Sequence, residues 1–311
     1  MPQSSLNMNK QIKQLSLFPN LDDNLSENLY VIGNGFDIAH NYPTRYADFR
    51  EWLVANGDKQ FVALMCLLFP YAPEDDRNDN NYFWSDIENF MGEYRATEIM
   101  NFCVPNGLSY KDGQKYAYAV EDGAKSVFVP AVQRLYQMFH NWVNSIQIDN
   151  IPKFQLHPGC LYLTFNYTET LEKVYGIPDD KICHIHGKRL CDEEYVFGHL
   201  NEIPTDSIDA DNDFETKSLS DIISEMNVHV KNINGLINAN TQFFNKLSGV
   251  QRIIVIGHSL GKIDLPYFDK LLECVSAEAE WVFYYHSNED LKNITNFINT
   301  RNIKKVVLRN S

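Results

Sequence analysis

The chain has 311 residues, of which 44% are hydrophobic, 13% aromatic and 22% charged, as in globular proteins with a large core. Its formal charge of −14 argues against a nucleic-acid surface, because phosphate contacts require an excess of Lys and Arg. The six cysteines include no C-x-x-C pair, so neither a zinc ribbon nor a disulfide framework is indicated. The N-terminus lacks the apolar core of a signal peptide, and the longest apolar run, Phe61 to Phe69, is too short for a bilayer. We therefore expect a cytoplasmic protein without nucleic-acid or membrane partners.

Apolar segments of strand length alternate with segments of helical periodicity along much of the chain. Strands are predicted at 28–33, 160–165, 181–185, 252–257, 280–285 and 304–308. Helices are predicted between them at 43–56, 167–176, 265–275 and 288–300. This alternation predicts an α/β fold, a Rossmann-like, doubly wound parallel sheet.

Three segments depart from the alternation. Residues 1–27, rich in Asn, Gln, Ser and Asp, are predicted to form a polar N-terminal arm. The α/β domain would then occupy 28–311 and carry helical insertions at about 58–155 and 201–248. The second insertion opens with an acidic stretch from Asp206 to Asp221, which we interpret as a solvated loop.

The first predicted strand runs directly into Gly33-Asn34-Gly35-Phe36-Asp37. Two glycines with one residue between them let main-chain N–H groups approach an anion that a Cβ would block. Such a turn near the start of an α/β domain typically holds a nucleotide phosphate or pyrophosphate. The third glycine of G-x-G-x-x-G is missing, because Ile38 stands in its place. The segment is therefore either a nucleotide loop of another kind or a tight turn.

Two further strand ends carry polar side chains, where ligands bind in open α/β sheets. Asn166 is either the N-cap of the next helix or an amide that faces a ligand, since Thr168 could supply the cap. His186 has a side-chain type suited to general base catalysis. His184, two residues earlier, would share its face if the strand continued. Nearby cysteines do not complete a metal-ligand pattern, so no metal is predicted.

Gly257-His258-Ser259-Leu260-Gly261 fits G-x-S-x-G, the nucleophile elbow of lipases and esterases. An α/β-hydrolase needs an acid and then a histidine after the serine, each at its own strand end. Here only His286 follows, and the available acids, Asp264 and Asp269, lie in the helix after the elbow. The alternative interpretation is a second glycine turn that contacts the ligand.

Taken in order, these segments resemble the AbiH-type abortive-infection family of bacterial anti-phage proteins. The resemblance is carried by Ile32-Gly33-Asn34-Gly35-Phe36-Asp37, Pro43-Thr44, Tyr46-Ala47-Asp48-Phe49, Phe165-Asn166-Tyr167-Thr168, His184-Ile185-His186-Gly187, Gly257-His258-Ser259, Asp264 and Tyr267-Phe268. That family is in turn similar to sirtuin-like domains, whose defence members cleave NAD.

The sirtuin-like resemblance can be followed along the chain. The sirtuin Gly-Ala-Gly turn is similar to Gly33-Asn34-Gly35, and its pocket asparagine to Asn166, with Thr164 two residues before it. Its His-Gly pair is similar to His186-Gly187, and its late Gly-x-Ser turn, on the adenosine half, to Gly257-His258-Ser259. The cysteine zinc module and the arginine after the glycine turn are absent, so the resemblance does not imply deacetylation.

The resemblance implies an NAD glycohydrolase that breaks the nicotinamide–ribose bond, with NAD as substrate and no further cofactor. Asn166 and His186 would be catalytic. The nucleotide would be contacted by Gly33, Asn34, Gly35, Phe36, Asp37, Thr164, Gly187, Gly257, His258 and Ser259. We also expect a homo-oligomer and a phage-derived trigger as partners. A serine hydrolase and a nucleotide-sensing module without turnover remain alternatives.

Overall fold

The computed structural model describes residues 27–69, 82–105, 107–149, 151–191, 195–205, 208 and 212–310. The polar arm predicted for residues 1–27 lies outside the described residues, apart from Glu27. The chain divides into two compact units. The sheet unit takes its residues from 1–44, 146–195 and 232–311, and the helical unit takes its residues from 45–145 and 196–231.

Six parallel strands form the sheet of the first unit. They are β1 (Asn28–Ile32), β2 (Leu161–Thr164), β3 (Ile182–His184), β4 (Arg252–Ile256), β5 (Glu280–Tyr285) and β6 (Val306–Asn310). Their spatial order is β3-β2-β1-β4-β5-β6, and every neighbouring pair is parallel. All six predicted strands are therefore confirmed, as is the α/β Rossmann-like fold. Strand β1 is buried along its whole length, as expected for a parallel strand covered on both faces.

The helices are, in chain order, α1 (Asn34–Ala39), α2 (Tyr46–Ala55), α3 (Lys59–Leu68), α4 (Tyr82–Ser85), α5 (Ile87–Gly92), α6 (Ala96–Cys103), α7 (Gln114–Gly123), α8 (Val129–Ser145), α9 (Thr170–Tyr175), α10 (Asp213–Val228), α11 (Ile233–Ala239), α12 (Thr241–Asn245), α13 (Leu265–Cys274) and α14 (Asn288–Arg301). A π-helical turn, Ala124–Phe128, joins α7 to α8. The four predicted helices are confirmed as α2, α9, α13 and α14. Within the described part of the chain, no helix combines the length and apolar character that crossing a membrane requires.

The core of the sheet unit is built from the apolar strands and the aromatic residues beside them. Tyr30 on β1 stacks on Tyr162 of β2, with ring centroids 5.1 Å apart. Phe36, at the start of α1, is fully buried and stacks on Phe154 at 4.8 Å. Burial of each such side chain stabilises the fold by roughly 1.5–3 kcal/mol. The predicted nucleotide contact Phe36 is therefore a core residue in this structure.

The helical unit has its own core, in which α8 buries Val132, Leu135, Phe139 and Trp142 along one face. This spacing of three or four residues is that of an amphipathic helix. The bounds of the unit differ from the predicted insertions, because α2 belongs to the helical unit, whereas α11 and α12 belong to the sheet unit. Helix α10 also begins at Asp213, inside the predicted acidic loop, where Asn212 accepts hydrogen bonds from the N–H groups of Phe214 and Glu215.

Candidate functional site

The predicted site residues follow four neighbouring strands at the point where the strand order reverses. In the sheet register Ile32 stands opposite both Thr164 and Ile256, and Thr164 stands opposite His184. The hydrogen-bond ladder continues for one residue beyond each strand. The Ile185 N–H donates to the Thr164 carbonyl at 3.1 Å, the Phe165 N–H to the Ile32 carbonyl at 2.9 Å, and the Gly33 N–H to the Ile256 carbonyl at 3.0 Å. The next residue along each chain segment is, from β3 to β4, His186, Asn166, Asn34 and His258. Four strand ends span about 14 Å, at the switch point where open α/β sheets bind ligands.

The turns after β1 and β4 pack backbone against backbone. The Gly35 N–H donates to the Gly257 carbonyl at 2.8 Å. A Cβ on Gly33 would lie 2.6 Å from both the Gly257 oxygen and the His258 Cα, and Gly257 has a φ of +66°. Only glycine allows this approach. The N–H groups of Gly33 and Gly35 already donate to backbone carbonyls, so in this structure the two glycines let the turns meet. That these residues contact a nucleotide stays a prediction.

A buried carboxyl group joins α1 to the turn after β2. Asp37 is 1% exposed and accepts hydrogen bonds from the hydroxyl groups of Thr168 and Thr170, the latter at 2.8 Å. The Asn166 side chain also hydrogen-bonds to it. Burial raises the pKa of Asp37 to about 6, although these hydrogen bonds lower it in part. Asp37 can therefore change its protonation state within the physiological range.

Asn166 does not cap a helix. Helix α9 begins only at Thr170, and its N-cap is Glu169. The Asn166 backbone N–H instead donates to the hydroxyl of the buried Thr164 at 3.1 Å. The N-cap interpretation is therefore wrong. The side chain of Asn166 is placed by Asp37, at the same edge as His186.

The two histidines after β3 contact different groups. Strand β3 ends at His184, whose ring contacts the Asn166 carbonyl at 3.1 Å and the Glu172 carboxylate at 2.9 Å. His186 follows in a turn, and its Nε2 lies 3.5 Å from Oδ1 of Asp264. The strand does not continue to His186, so the condition under which the two rings would share a face is not met. Among the described residues, no group of three or more His, Cys, Asp or Glu side chains is placed to hold a metal ion.

His186 and His258 lie on either side of Asp264, in a mostly apolar environment. The ring of His258 has its Nε2 3.3 Å from Oδ2 of Asp264, and its Nδ1 accepts the Leu260 N–H at 2.9 Å. The Phe165 ring stands edge-on to both imidazoles, with centroid distances of 5.2 and 4.4 Å. The His186 and His258 side chains are only 6% and 3% exposed. Low dielectric around these rings strengthens their interaction with the carboxylate.

An ion pair that sequence analysis missed holds the β2 and β3 turns together. Arg189 binds both carboxylate oxygens of Glu169, at 2.5 and 2.9 Å, and its backbone N–H donates to the Tyr167 carbonyl at 2.8 Å. Burial alone would raise the pKa of Glu169, but hydrogen bonds from Arg189 and Lys173 lower it to about 2. No spacing in the sequence indicates this pair, because its members come from separate turns.

The elbow serine lacks the partners of a nucleophile. Ser259 is exposed, and within the described parts of the chain no histidine ring hydrogen-bonds to its hydroxyl. Asp269 binds Arg301 at 2.6 and 3.1 Å, and Asp264 faces the two buried imidazoles. The arrangement therefore gives no support to the serine hydrolase.

Comparison with known proteins identifies one family. The model of the family described as "Bacteriophage abortive infection AbiH" matches residues 29–285, which include the whole switch-point edge. No curated protein and no solved structure matches the chain.

Proposed function

Because this chain belongs to the AbiH family of bacteriophage abortive infection, we propose that it acts in phage defence by hydrolysing the nicotinamide–ribose bond of NAD. The family supports the defence role, and the reaction is our proposal. One observation supports the proposed reaction most directly. Asn166 and His186 follow the neighbouring strands β2 and β3, next to the point in the sheet where the strand order reverses.

Hydrolysis of this bond requires a base for water and stabilisation of a positively charged ribose. As the bond breaks, its electron pair leaves with the nicotinamide nitrogen, and water adds to the ribose carbon. In our proposal His186 takes the proton from that water, since an imidazole is suited to general base catalysis and this one lies 3.5 Å from the Asp264 carboxylate. The Asn166 amide holds the water or a ribose hydroxyl, and Asp37 orients that amide.

The remaining residues of the edge would accommodate the rest of the dinucleotide. Asn34 is exposed, and its side chain donates to the Thr44 carbonyl at 2.8 Å, which fixes the outer side of the first turn. Ser259 is exposed beside the β4 turn, where we propose that it contacts the adenosine half. In this proposal the nicotinamide half lies over β2 and β3, and the adenosine half lies over β1 and β4.

The direct test is to incubate the purified protein with NAD and measure free nicotinamide and ADP-ribose. Cells that express the protein would be assayed in parallel with and without phage, because the activity is expected to need a trigger. His157→Ala is the matched control, since His157 is exposed and lies before β2, at the opposite end of that strand. Release by wild type and by His157→Ala, but not by His186→Ala, supports the proposal.

Two other outcomes would replace the proposed reaction. If NAD raises the melting temperature but is never cleaved, even in infected cells, the protein is a nucleotide-sensing module. If a fluorophosphonate probe labels Ser259 stoichiometrically, the protein is a serine hydrolase.

A further inference from the structure

His184, the last residue of β3, has a hydrogen-bond partner at each ring nitrogen. Its Nδ1 lies 3.1 Å from the backbone carbonyl oxygen of Asn166, and its Nε2 lies 2.9 Å from Oε1 of Glu172. The His184 and Glu172 side chains are only 9% and 16% exposed. The ring therefore connects a residue of the proposed site to α9, the helix that carries Glu172.

Both partners of the His184 ring are acceptors. The backbone carbonyl of Asn166 has no proton to donate, so Nδ1 must carry one. The ionised carboxylate of Glu172 is likewise an acceptor, so Nε2 carries a proton as well. A histidine that donates from both ring nitrogens is a cation. Because neither nitrogen can then accept a proton, His184 cannot be the base of the proposed reaction.

The negative charge of Glu172 is stabilised by a second cation. Its Oε1 also accepts from Nζ of Lys188 at 3.2 Å, and an ammonium group disfavours a proton on the oxygen that it contacts. Burial alone would raise the pKa of Glu172, but the hydrogen bond from His184 and the charges of His184 and Lys188 lower it. Nζ of Lys188 lies 3.1 Å from Oδ1 of Asp179. Cation and anion thus alternate along the row His184, Glu172, Lys188 and Asp179.

This row connects both proposed catalytic residues to α9. The Asn166 carbonyl accepts from His184, while its N–H donates to the Thr164 hydroxyl at 3.1 Å, so both polar backbone groups of Asn166 are held. Lys188, which donates to the same Glu172 oxygen, comes two residues after His186. Hydrogen bonds between charged groups are stronger than neutral ones, and burial strengthens them further. The row therefore fixes the turns after β2 and β3 at once.

We infer that His184 is a positioning residue that acts as an imidazolium: paired with Glu172, it holds the Asn166 carbonyl and so places the Asn166 amide relative to His186. The inference rests on the proposed function for what that amide does, whereas the charge on the ring can be measured without any reaction. The carbonyl and the amide belong to one residue, so a shift of the first moves the second. Misplacement of a reacting group by about 1 Å can cost about 10²-fold in rate.

Glu172→Gln tests the charge of the ring, because the amide keeps the shape of the side chain and removes the carboxylate. His184 should then become neutral and keep only one of its two ring protons. Asp179→Asn is the matched control, since Asp179 pairs with the same Lys188 and its side chain is 80% exposed. It removes one carboxylate from the row and leaves both contacts of His184 in place.

The charge is measured by ¹H–¹⁵N correlation of the histidine rings at neutral pH, with His184 assigned from a His184→Gln variant. We expect both ring nitrogens of His184 to be protonated in wild type and in Asp179→Asn, and only one in Glu172→Gln. A single protonated nitrogen in wild type, or the same ring state in wild type and Glu172→Gln, overturns the inference. If Glu172→Gln does not fold, the wild-type spectrum decides.

Two substitutions of His184 separate its two contacts. The amide of Asn reaches about as far as Nδ1, so His184→Asn keeps a donor to the Asn166 carbonyl. The amide of Gln reaches about as far as Nε2, so His184→Gln keeps a donor to Glu172 instead. We expect His184→Gln to lower kcat for NAD cleavage by about 10- to 100-fold, with KM within about threefold, since Asn166 is misplaced but present. His184→Asn should keep more of the wild-type kcat. Equal losses of kcat in the two variants would contradict the positioning role.

The two readouts distinguish failure of this inference from failure of the proposed function. Asp179→Asn should remain within about twofold of wild type in NAD cleavage, as expected for a surface substitution. If His184 carries two protons and NAD is never cleaved, only the proposed reaction fails. If NAD is cleaved and His184 carries one proton, only the inference about His184 fails.

Discussion

The two halves of the switch-point edge are built in different ways. The turns after β1 and β4 are joined by backbone contacts between glycines, at Gly33, Gly35 and Gly257. The turns after β2 and β3 are joined by side chains, through the Arg189–Glu169 ion pair. A backbone contact tolerates no added atoms, but it offers no reactive group. Close backbone packing therefore distinguishes the β1–β4 half, and the side chains of the proposed site distinguish the β2–β3 half.

The largest effect should follow removal of the reactive side chains. We expect His186→Ala and Asn166→Ala each to lower NAD cleavage by about 10²- to 10⁴-fold. The double variant should be scarcely worse, because residues that act as a unit are not additive. Asn166→Ala should also lower the free energy of unfolding by about 1 kcal/mol, since Asp37 loses one hydrogen bond.

Turnover and thermal unfolding of the same preparations check this assignment. An Asn166→Ala protein that keeps full turnover per folded molecule would remove Asn166 from the site. His157→Ala, at the opposite end of β2, should match wild type in both measurements.

The turns after β2 and β3, which form the side-chain half of the edge, should depend strongly on their buried ion pair for stability. Arg189→Met leaves the Glu169 carboxylate buried and paired, among the described residues, with the partly exposed Lys173 alone. We expect a loss of about 3–5 kcal/mol in the free energy of unfolding by urea, as for other broken buried pairs. Arg252→Met, which breaks the half-exposed Arg252–Glu280 pair, should cost less than about 1 kcal/mol. Equal losses in the two variants would contradict the comparison.

The sequence predicts the backbone half of the edge, the turns after β1 and β4, better than the side-chain half. Strand β1 and its glycine turn are consecutive residues, so an apolar run that ends in Gly33-Asn34-Gly35 is visible locally. Asn166 and His186 are found in the same way, because each stands just past a strand. The contacts of Asp264 with His186 and of Arg189 with Glu169 join distant segments, and no periodicity encodes them. Local chemistry also explains the missed start of α10, since Asp213 and Glu215 favour a helix N-terminus as readily as a loop.

Asp37 belongs to both halves and provides a test based on pH. Its pKa is raised from the ordinary 3.8 to about 6, so the folded state binds the proton more tightly than the unfolded chain does. The resulting stability is complete below about pH 4 and is lost as the pH rises through about 6, a change of about 3 kcal/mol. His40, His199 and His229, whose pKa values are lowered, act in the opposite direction.

Comparison with Asp37→Asn isolates this contribution, because the amide is neutral at every pH and the three histidines are unchanged. We expect the unfolding free energy of the variant, relative to wild type, to improve by up to about 3 kcal/mol between pH 4 and pH 7. Urea titrations at several pH values measure the difference. A difference that does not vary with pH would mean that Asp37 is ionised throughout.

The smallest expected effect tests the backbone half directly. In Gly33→Ala the new Cβ would lie 2.6 Å from the Gly257 oxygen and the His258 Cα, so the β1 and β4 turns must separate. Overpacking of this kind costs about 1–3 kcal/mol. Gly249→Ala is the matched control, since no atom lies within 4 Å of its added Cβ. Urea unfolding of both variants should show a loss only in Gly33→Ala. Separation of these turns also moves His258 and Asn34. The rate of NAD cleavage by Gly33→Ala should therefore fall by a larger factor than the fraction of folded protein does. If Gly33→Ala were as stable as Gly249→Ala, the two turns would not be closely packed, and the contrast between the halves would be lost.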